Sequence, residues 1–324
     1  MVDHCIVRTW GSMSELAISL VAIFYAIIAV VRLAVALSNP ARCYQSLRLA
    51  EQVYLDAARE DAAQQSVLTK YTRLLRYSAT VYSIVFALGI VMVILMPFGF
   101  YLFVGQRFLP LGMLLPFVDP ETPSGYWGTL VFQIFYIASP IPLIASQNIY
   151  FAFIFNICIQ YELLIIRLED LNATIRNARR SEGEGDSSEV HEKLVKIIQS
   201  QQSCTAYIVH IEQLYRLQSF IEFLCNFFQL AVTLTELSRS FWLPGLFILP
   251  VAVVQMLILC FLGTLIELRS DQFIDKLYDI AWSEMGREEQ AMFKFVLQSA
   301  QNPVQLTCAD FVVINMNLFM SRVL

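Results

Sequence analysis

An all-α, multi-span transmembrane helical bundle, with long helices extending into a cytosolic anchor, is the fold class this sequence predicts. Three observations predict it. The first is composition: 57% of the 324 residues are apolar and only 15% are charged, with a mean hydropathy of +0.59. Soluble chains carry about 25% charged residues, so much of this surface is built for a solvent other than water. The second is run length, because several uncharged stretches reach the roughly 20 residues needed to cross a bilayer. The third is the partition of Lys and Arg between the connections, which alternates strongly. The apolar runs are continuous and do not alternate, so a transmembrane β-barrel is excluded.

The spans fall at 16–37, 78–104, 126–159, 219–237, 241–266 and 308–324, the last one truncated. Arg32 lies near the end of the first and is expected to snorkel to the interface. The second contains no charge. The third should kink at Pro140 and Pro142. The fourth is weaker, because Glu222 and Glu236 sit near its ends. The charges within spans read as isolated. Trp127 and Trp242 are expected at the membrane interface.

Three connections are basic. Arg42, Arg48, Arg59, Lys70, Arg73 and Arg76 follow the first span. Seven Lys and Arg residues separate the third from the fourth. Arg269, Lys276, Arg287 and Lys294 follow the fifth. The opposite side holds Arg8, Arg107 and Arg239, a partition of seventeen against three. The basic connections are therefore assigned to the cytosol and both termini to the outside. Ala34-Val35-Ala36 has the form of a signal-peptide cleavage site. The apolar run before it is long for that purpose, and few basic residues precede it. The sequon Asn172-Ala173-Thr174 falls on the cytosolic side and is expected to be a chance match.

The cytosolic connections read as helices. Residues 160–218 and 268–307 form the anchor. An apolar stripe runs through Leu163, Ile166, Leu168, Leu171 and Ile175, and another through Leu194, Ile197, Ile198, Ile208, Ile211 and Leu214. Between them Ser181–Ser188 is acidic, bears glycine and has no apolar residue, so it reads as a linker. Residues 41–76 are also amphipathic.

Chemistry-bearing motifs are few. Seven cysteines show no regular spacing and are expected to be free thiols. His4, His191 and His210 are scattered, so no metal site and no cofactor are expected. A net charge of −5 argues against nucleic acid as a partner. No enzyme is expected, because a membrane enzyme needs ionisable groups that converge inside the spans.

The C-terminal third carries the most specific pattern. It reads Ser270-Asp271-Gln272, then Tyr278-Asp279-Ile280-Ala281-Trp282, then Gln298-Ser299-Ala300-Gln301-Asn302-Pro303, then Phe311 through Asn315 to Phe319. The middle adds Leu115-Pro116-Phe117, Gln147-Asn148 and Tyr161-Glu162. This pattern resembles the insect odorant receptor family, from that family's second span onward. The resemblance implies a seven-span fold that here lacks its first span and the end of its last helix. It implies a single receptor domain over 1–324 in the plasma membrane of sensory neurons. It implies an odorant-gated cation channel, assembled as a heterotetramer with a co-receptor subunit and surrounded by membrane lipid.

A small volatile odorant is then expected among the outer halves of the spans. The candidate ligand-binding residues are Phe24, Tyr25, Met92, Met96, Tyr136, Pro140, Phe227, Phe247 and Val251. Such a lining suits an apolar ligand. The resemblance assigns Val312, Val313, Asn315 and Phe319 to the pore, and Tyr278, Trp282, Gln298 and Pro303 to a subunit anchor. Helix-to-helix packing is the competing reading at each position, and interhelical hydrogen bonding competes at Asn315. A gustatory-type receptor of the same fold and a G-protein-coupled chemoreceptor are the alternatives. The latter lacks support, because Asn302-Pro303 continues as Val-Gln-Leu and no Asp-Arg-Tyr occurs.

Overall fold

The computed structural model describes residues 13–59, 61–105, 107, 109–110, 115, 118–119, 122–138, 141–181, 186–239, 243–308 and 312–322. Helices α1 (Met13–Ser38), α2 (Pro40–Arg59), α3 (Ala62–Val104), α4 (Pro123–Ala138), α5 (Ile141–Ser181), α6 (Asp186–Arg239) and α7 (Leu243–Tyr278) follow in order. A 3₁₀ turn (Trp282–Glu284) leads to α8 (Arg287–Ala300), and α9 (Met316–Arg322) follows. Between α8 and α9, β1 (Thr307–Cys308) pairs antiparallel with β2 (Val312–Val313), Thr307 opposite Val313.

Among the described residues, five stretches are long and apolar enough to cross a membrane: Ser19–Ser38, Ala62–Phe103, Pro123–Asn177, Ser188–Arg239 and Ile248–Tyr278. Several far exceed the bilayer. At 1.5 Å per residue the 54-residue α6 is about 81 Å long, against roughly 30 Å of hydrocarbon. The polar halves of α5, α6 and α7 therefore continue outside the membrane as one bundle. Pro140 lies outside the described residues; α4 ends at Ala138 and α5 begins at Ile141. Pro97 and Pro250 are carried inside α3 and α7. Gly105, at φ 68°, supplies the left-handed residue that ends α3.

The core centres on α5. Phe153, Ile154, Ile157, Cys158, Leu164, Leu168 and Leu171 are all fully buried. They meet Leu194, Ile197, Ile208 and Ile211 of α6 and Phe273 and Leu277 of α7. The apolar stripes of the anchor thus close on one another. Ion pairs fringe this core: Arg269 with Glu162 at 2.9 Å, Lys276 with Glu169 at 2.8 Å, and Lys193 with Asp170 at 2.8 Å and Glu189 at 3.0 Å. Desolvation disfavours the Lys193 ammonium, but hydrogen bonds to Asp170 and Glu189 outweigh it and raise its pKa. The Asn172 amide oxygen accepts the backbone N–H of Ala281 at 3.1 Å. The sequon asparagine is thus committed to an internal contact.

Two expectations change inside the membrane. Arg32 does not snorkel. It is buried and forms a bidentate pair with Glu222 of α6, Nε to Oε1 at 2.5 Å and Nη2 to Oε2 at 3.0 Å. Its remaining donors reach Gln147 Oε1 at 2.8 Å and the Leu143 carbonyl at 3.1 Å, both on α5. Gln218 donates to Glu222 from one turn below, at 2.9 Å. Arg32 and Glu222 are therefore paired, not isolated, because a lone charge at that depth is expensive whereas a hydrogen-bonded pair is tolerated.

The span expected from residue 308 is also different. Among the described residues, helix begins only at Met316, after the short strand pair. Asn315 caps α9: its side-chain oxygen accepts the Leu318 N–H at 3.0 Å, while its amide nitrogen donates to Glu267 at 3.4 Å. The Thr264 hydroxyl accepts the Met316 N–H at 2.8 Å. This docking depends on Gly263, where a Cβ would stand 1.8 Å from the Ile314 carbonyl oxygen.

Glu222→Leu alone should destabilise the detergent-solubilised protein by about 3–5 kcal/mol, since it strands a buried guanidinium. Pairing it with Arg32→Met should recover most of the lost melting temperature; additive losses would show that the two charges are not coupled. Gly263→Ala should loosen the 305–322 segment at a cost of about 1–3 kcal/mol. Limited proteolysis would then cut that segment first, with α1–α7 intact.

Candidate functional site

A cavity of about 290 Å³ opens between α1, α3, α4 and α7. Such a volume lies at the small end of ligand pockets. α1 presents Val21, Ala22, Tyr25, Ala26, Ala29 and Val30 to it, and α3 presents Phe86, Gly89, Ile90 and Val93. Tyr136 and Ile137 close it from α4, and Ile248 and Val251 from α7. The room comes from small residues. Ala22, Ala26 and Ala29 recur at helical spacing on one face of α1, and a Cβ added to Gly89 would meet nothing within 4 Å.

The wall is almost wholly apolar, with two phenols as its polar groups. The Tyr136 hydroxyl donates to the Ala22 carbonyl at 2.6 Å, which ties α4 to α1 across the cavity. Tyr25 interacts with the side chain of Gln229 of α6, a fully buried amide. The Arg32–Glu222 pair sits just beyond Ala29 and Val30, so its charge is held behind the floor. The arrangement suits a small, weakly polar molecule: shape and dispersion bind the body, and a hydroxyl or amide finds one of few polar handles.

Three of the residues singled out from sequence come together here: Tyr25, Tyr136 and Val251. Phe24 stacks on Phe228 instead, at 6.1 Å, and Phe227 is exposed on α6. Met92 is exposed, and Met96 lies off the cavity; α3 turns Gly89 and Val93 inward in their place. Pro140 and the side chain of Phe247 lie outside the described residues. Phe86, Gly89 and the α1 alanines escaped the sequence reading. The alanine spacing was the available signal.

The other expected positions are dispersed. Val312 is exposed on β2, Val313 is half-buried, and Phe319 is buried against α7. Tyr278 and Trp282 are exposed at the far end of α7, with Gln298 exposed on α8 and Pro303 half-buried beyond it. Gln301 donates to the Tyr278 hydroxyl at 2.8 Å. Trp127, half-exposed at the start of α4, packs with Phe98 and Tyr101 at the end of α3. Trp242 lies outside the described residues. Cys43, Cys158, Cys204, Cys225 and Cys260 are free thiols, and no metal-binding cluster occurs among the described residues.

Comparison with known proteins agrees with this architecture. The putative odorant receptor 83c of Drosophila melanogaster is 24% identical over 217 residues, 64% of this chain and 55% of that protein. The chain thus aligns with about half the length of that curated relative. The solved structure of the insect olfactory receptor OR5 from Machilis hrabei superposes with a TM-score of 0.77 at 15% identity, covering 99% of this chain and 82% of that one. The same receptor in complex with eugenol gives 0.73, with the same identity and coverage. At this identity the likeness is one of fold. The profile described as "7tm Odorant receptor" matches residues 12–323, nearly the whole chain. The chain is therefore a multi-pass membrane protein that belongs to the odorant receptor family.

Proposed function

We propose that this chain is the odorant-binding subunit of a ligand-gated cation channel in the plasma membrane of sensory neurons. The odorant occupies the cavity between α1, α3, α4 and α7, and a co-receptor subunit completes the assembly. The single observation that carries this reading is the cavity itself: an apolar chamber of about 290 Å³ in an odorant receptor, lined by Tyr25, Tyr136 and Val251. A related receptor of the same fold has been solved with eugenol, a ligand of matching character with a phenol on a small apolar body.

The mechanism follows from what ties the cavity walls together. A ligand with more contacts in one arrangement of α1, α4 and α7 shifts the population toward that arrangement. Because α7 also docks β2 and α9 through Gly263 and Thr264, movement of α7 carries the terminal segment with it. Val312, Val313, Asn315 and Phe319 then lie where a pore-lining segment begins. The exposed Tyr278, Trp282 and Phe295 offer an aromatic surface at the anchor for a second subunit. Receptor and channel chemistry of this kind needs no catalytic group.

The test is odorant-evoked cation current after expression with a co-receptor subunit. Gly89→Leu, which fills the chamber with a side chain the backbone accepts, should abolish responses while surface delivery persists. Tyr136→Phe should weaken phenolic and alcohol ligands by about fivefold, the worth of one hydrogen bond near 1 kcal/mol, and spare hydrocarbons. Unchanged responses in Gly89→Leu would place the odorant elsewhere.

A further inference from the structure

A second cavity, of about 320 Å³, lies on the lipid side of the bundle between α3, α5 and α7. It meets the first only at Phe86 and Val251, which line both. Its shape differs. On α7 the lining runs from Pro250 to Leu262, about 18 Å along the axis, and on α3 from Tyr77 to Phe86, about 14 Å. This is a groove parallel to the membrane normal, and its edges, Val81, Val85, Val254 and Phe261, are exposed apolar residues.

Its lower end is polar and positive. Ser78 and Tyr77 stand at the mouth. One turn below Tyr77, on the same face of α3, is the exposed Arg73, with Lys70 a further turn down. From α7, two turns beyond Leu262, comes Arg269. Lys70 and Arg269 share one carboxylate, Glu162 of α5, at 3.4 Å and 2.9 Å, and Arg73 adds a further exposed cation on α3. Partway up the groove, Tyr82 is only 7% exposed, and its hydroxyl is turned inward toward Arg32 and Gln255.

We propose that this groove is a binding site for an anionic glycerophospholipid of the bilayer leaflet on the anchor side. One acyl chain lies along Val81, Val85 and Val254. The phosphate meets Arg73 and Lys70, and the ester region meets Ser78 at the mouth. The excess of positive charge selects an anionic headgroup over a zwitterionic one, at about fivefold for each basic residue engaged. Since Phe86 and Val251 belong to both cavities, the lipid stiffens the wall of the first.

The test uses the full chain in nanodiscs doped with phosphatidylserine or phosphatidylcholine, each bearing a diazirine in one acyl chain. Adducts are mapped by mass spectrometry. Phosphatidylserine adducts should concentrate on the groove segments of α3 and α7 and exceed those of phosphatidylcholine at least fivefold. Arg73→Gln, at an exposed position, should bring that ratio down toward one without changing thermal stability. Val85→Trp should remove groove adducts of both lipids while those on the outer face of α1 remain. Equal labelling of the groove by the two lipids, a ratio unmoved by Arg73→Gln, or adducts spread evenly over all exposed apolar faces would each overturn the proposal.

Discussion

The Arg32–Glu222 pair fixes how the membrane half of this protein is arranged. A guanidinium and a carboxylate in hydrocarbon can exist only together, and a bidentate geometry allows little slack. Once they meet, the depth and rotation of α1 against α6 are set to within a hydrogen-bond length. The contacts of Arg32 to Gln147 and Leu143 then bring in α5 at the same level. Apolar helices in lipid have no hydrophobic drive to choose one rotation over another, so a polar anchor of this kind supplies what their faces do not.

The chamber is a consequence of that setting. With Arg32 turned toward α5 and α6, the alanine face of α1 a turn above is turned toward α3, α4 and α7. Small residues there leave space that larger neighbours on the other helices do not fill. The anchor answers a different constraint. Outside the membrane, the long helices meet water, and their apolar stripes close into an ordinary core around Leu168, Leu171, Leu194 and Ile197. One chain therefore uses two sets of packing rules, and the helices cross from one to the other without a break.

The architecture was largely legible in the sequence, and the site only partly. Run length and charge partition give six spans, and five stretches among the described residues are long and apolar enough to cross a membrane, because the bilayer imposes a length that leaves a mark in any sequence. The stripes of the anchor show clearly against polar surroundings. Rotation within the membrane leaves no such mark: around Met92 and Met96 the helix is apolar on every side, and nothing distinguishes the face that carries Gly89 and Val93. The pairing of Arg32 with Glu222 joins residues 190 apart, and no local pattern announces it. Near the end of the chain, the apolar run around Val312 reads as a truncated span, yet it forms a short strand. Its pairing with Thr307 and Cys308, and the capping role of Asn315, depend on the close approach that Gly263 permits.

The unbroken length of α6 has a mechanical meaning. Two domains joined by a loop can move independently, whereas a single continuous helix about 81 Å long transmits angle. A tilt of about 5° at its membrane end displaces its far end by about 7 Å if the rod stays straight. Glu222, the partner of Arg32, sits on the membrane portion of that rod, and Leu194 and Ile197 sit on the other. A change too small to see among the spans would thus be magnified at the far end of the anchor.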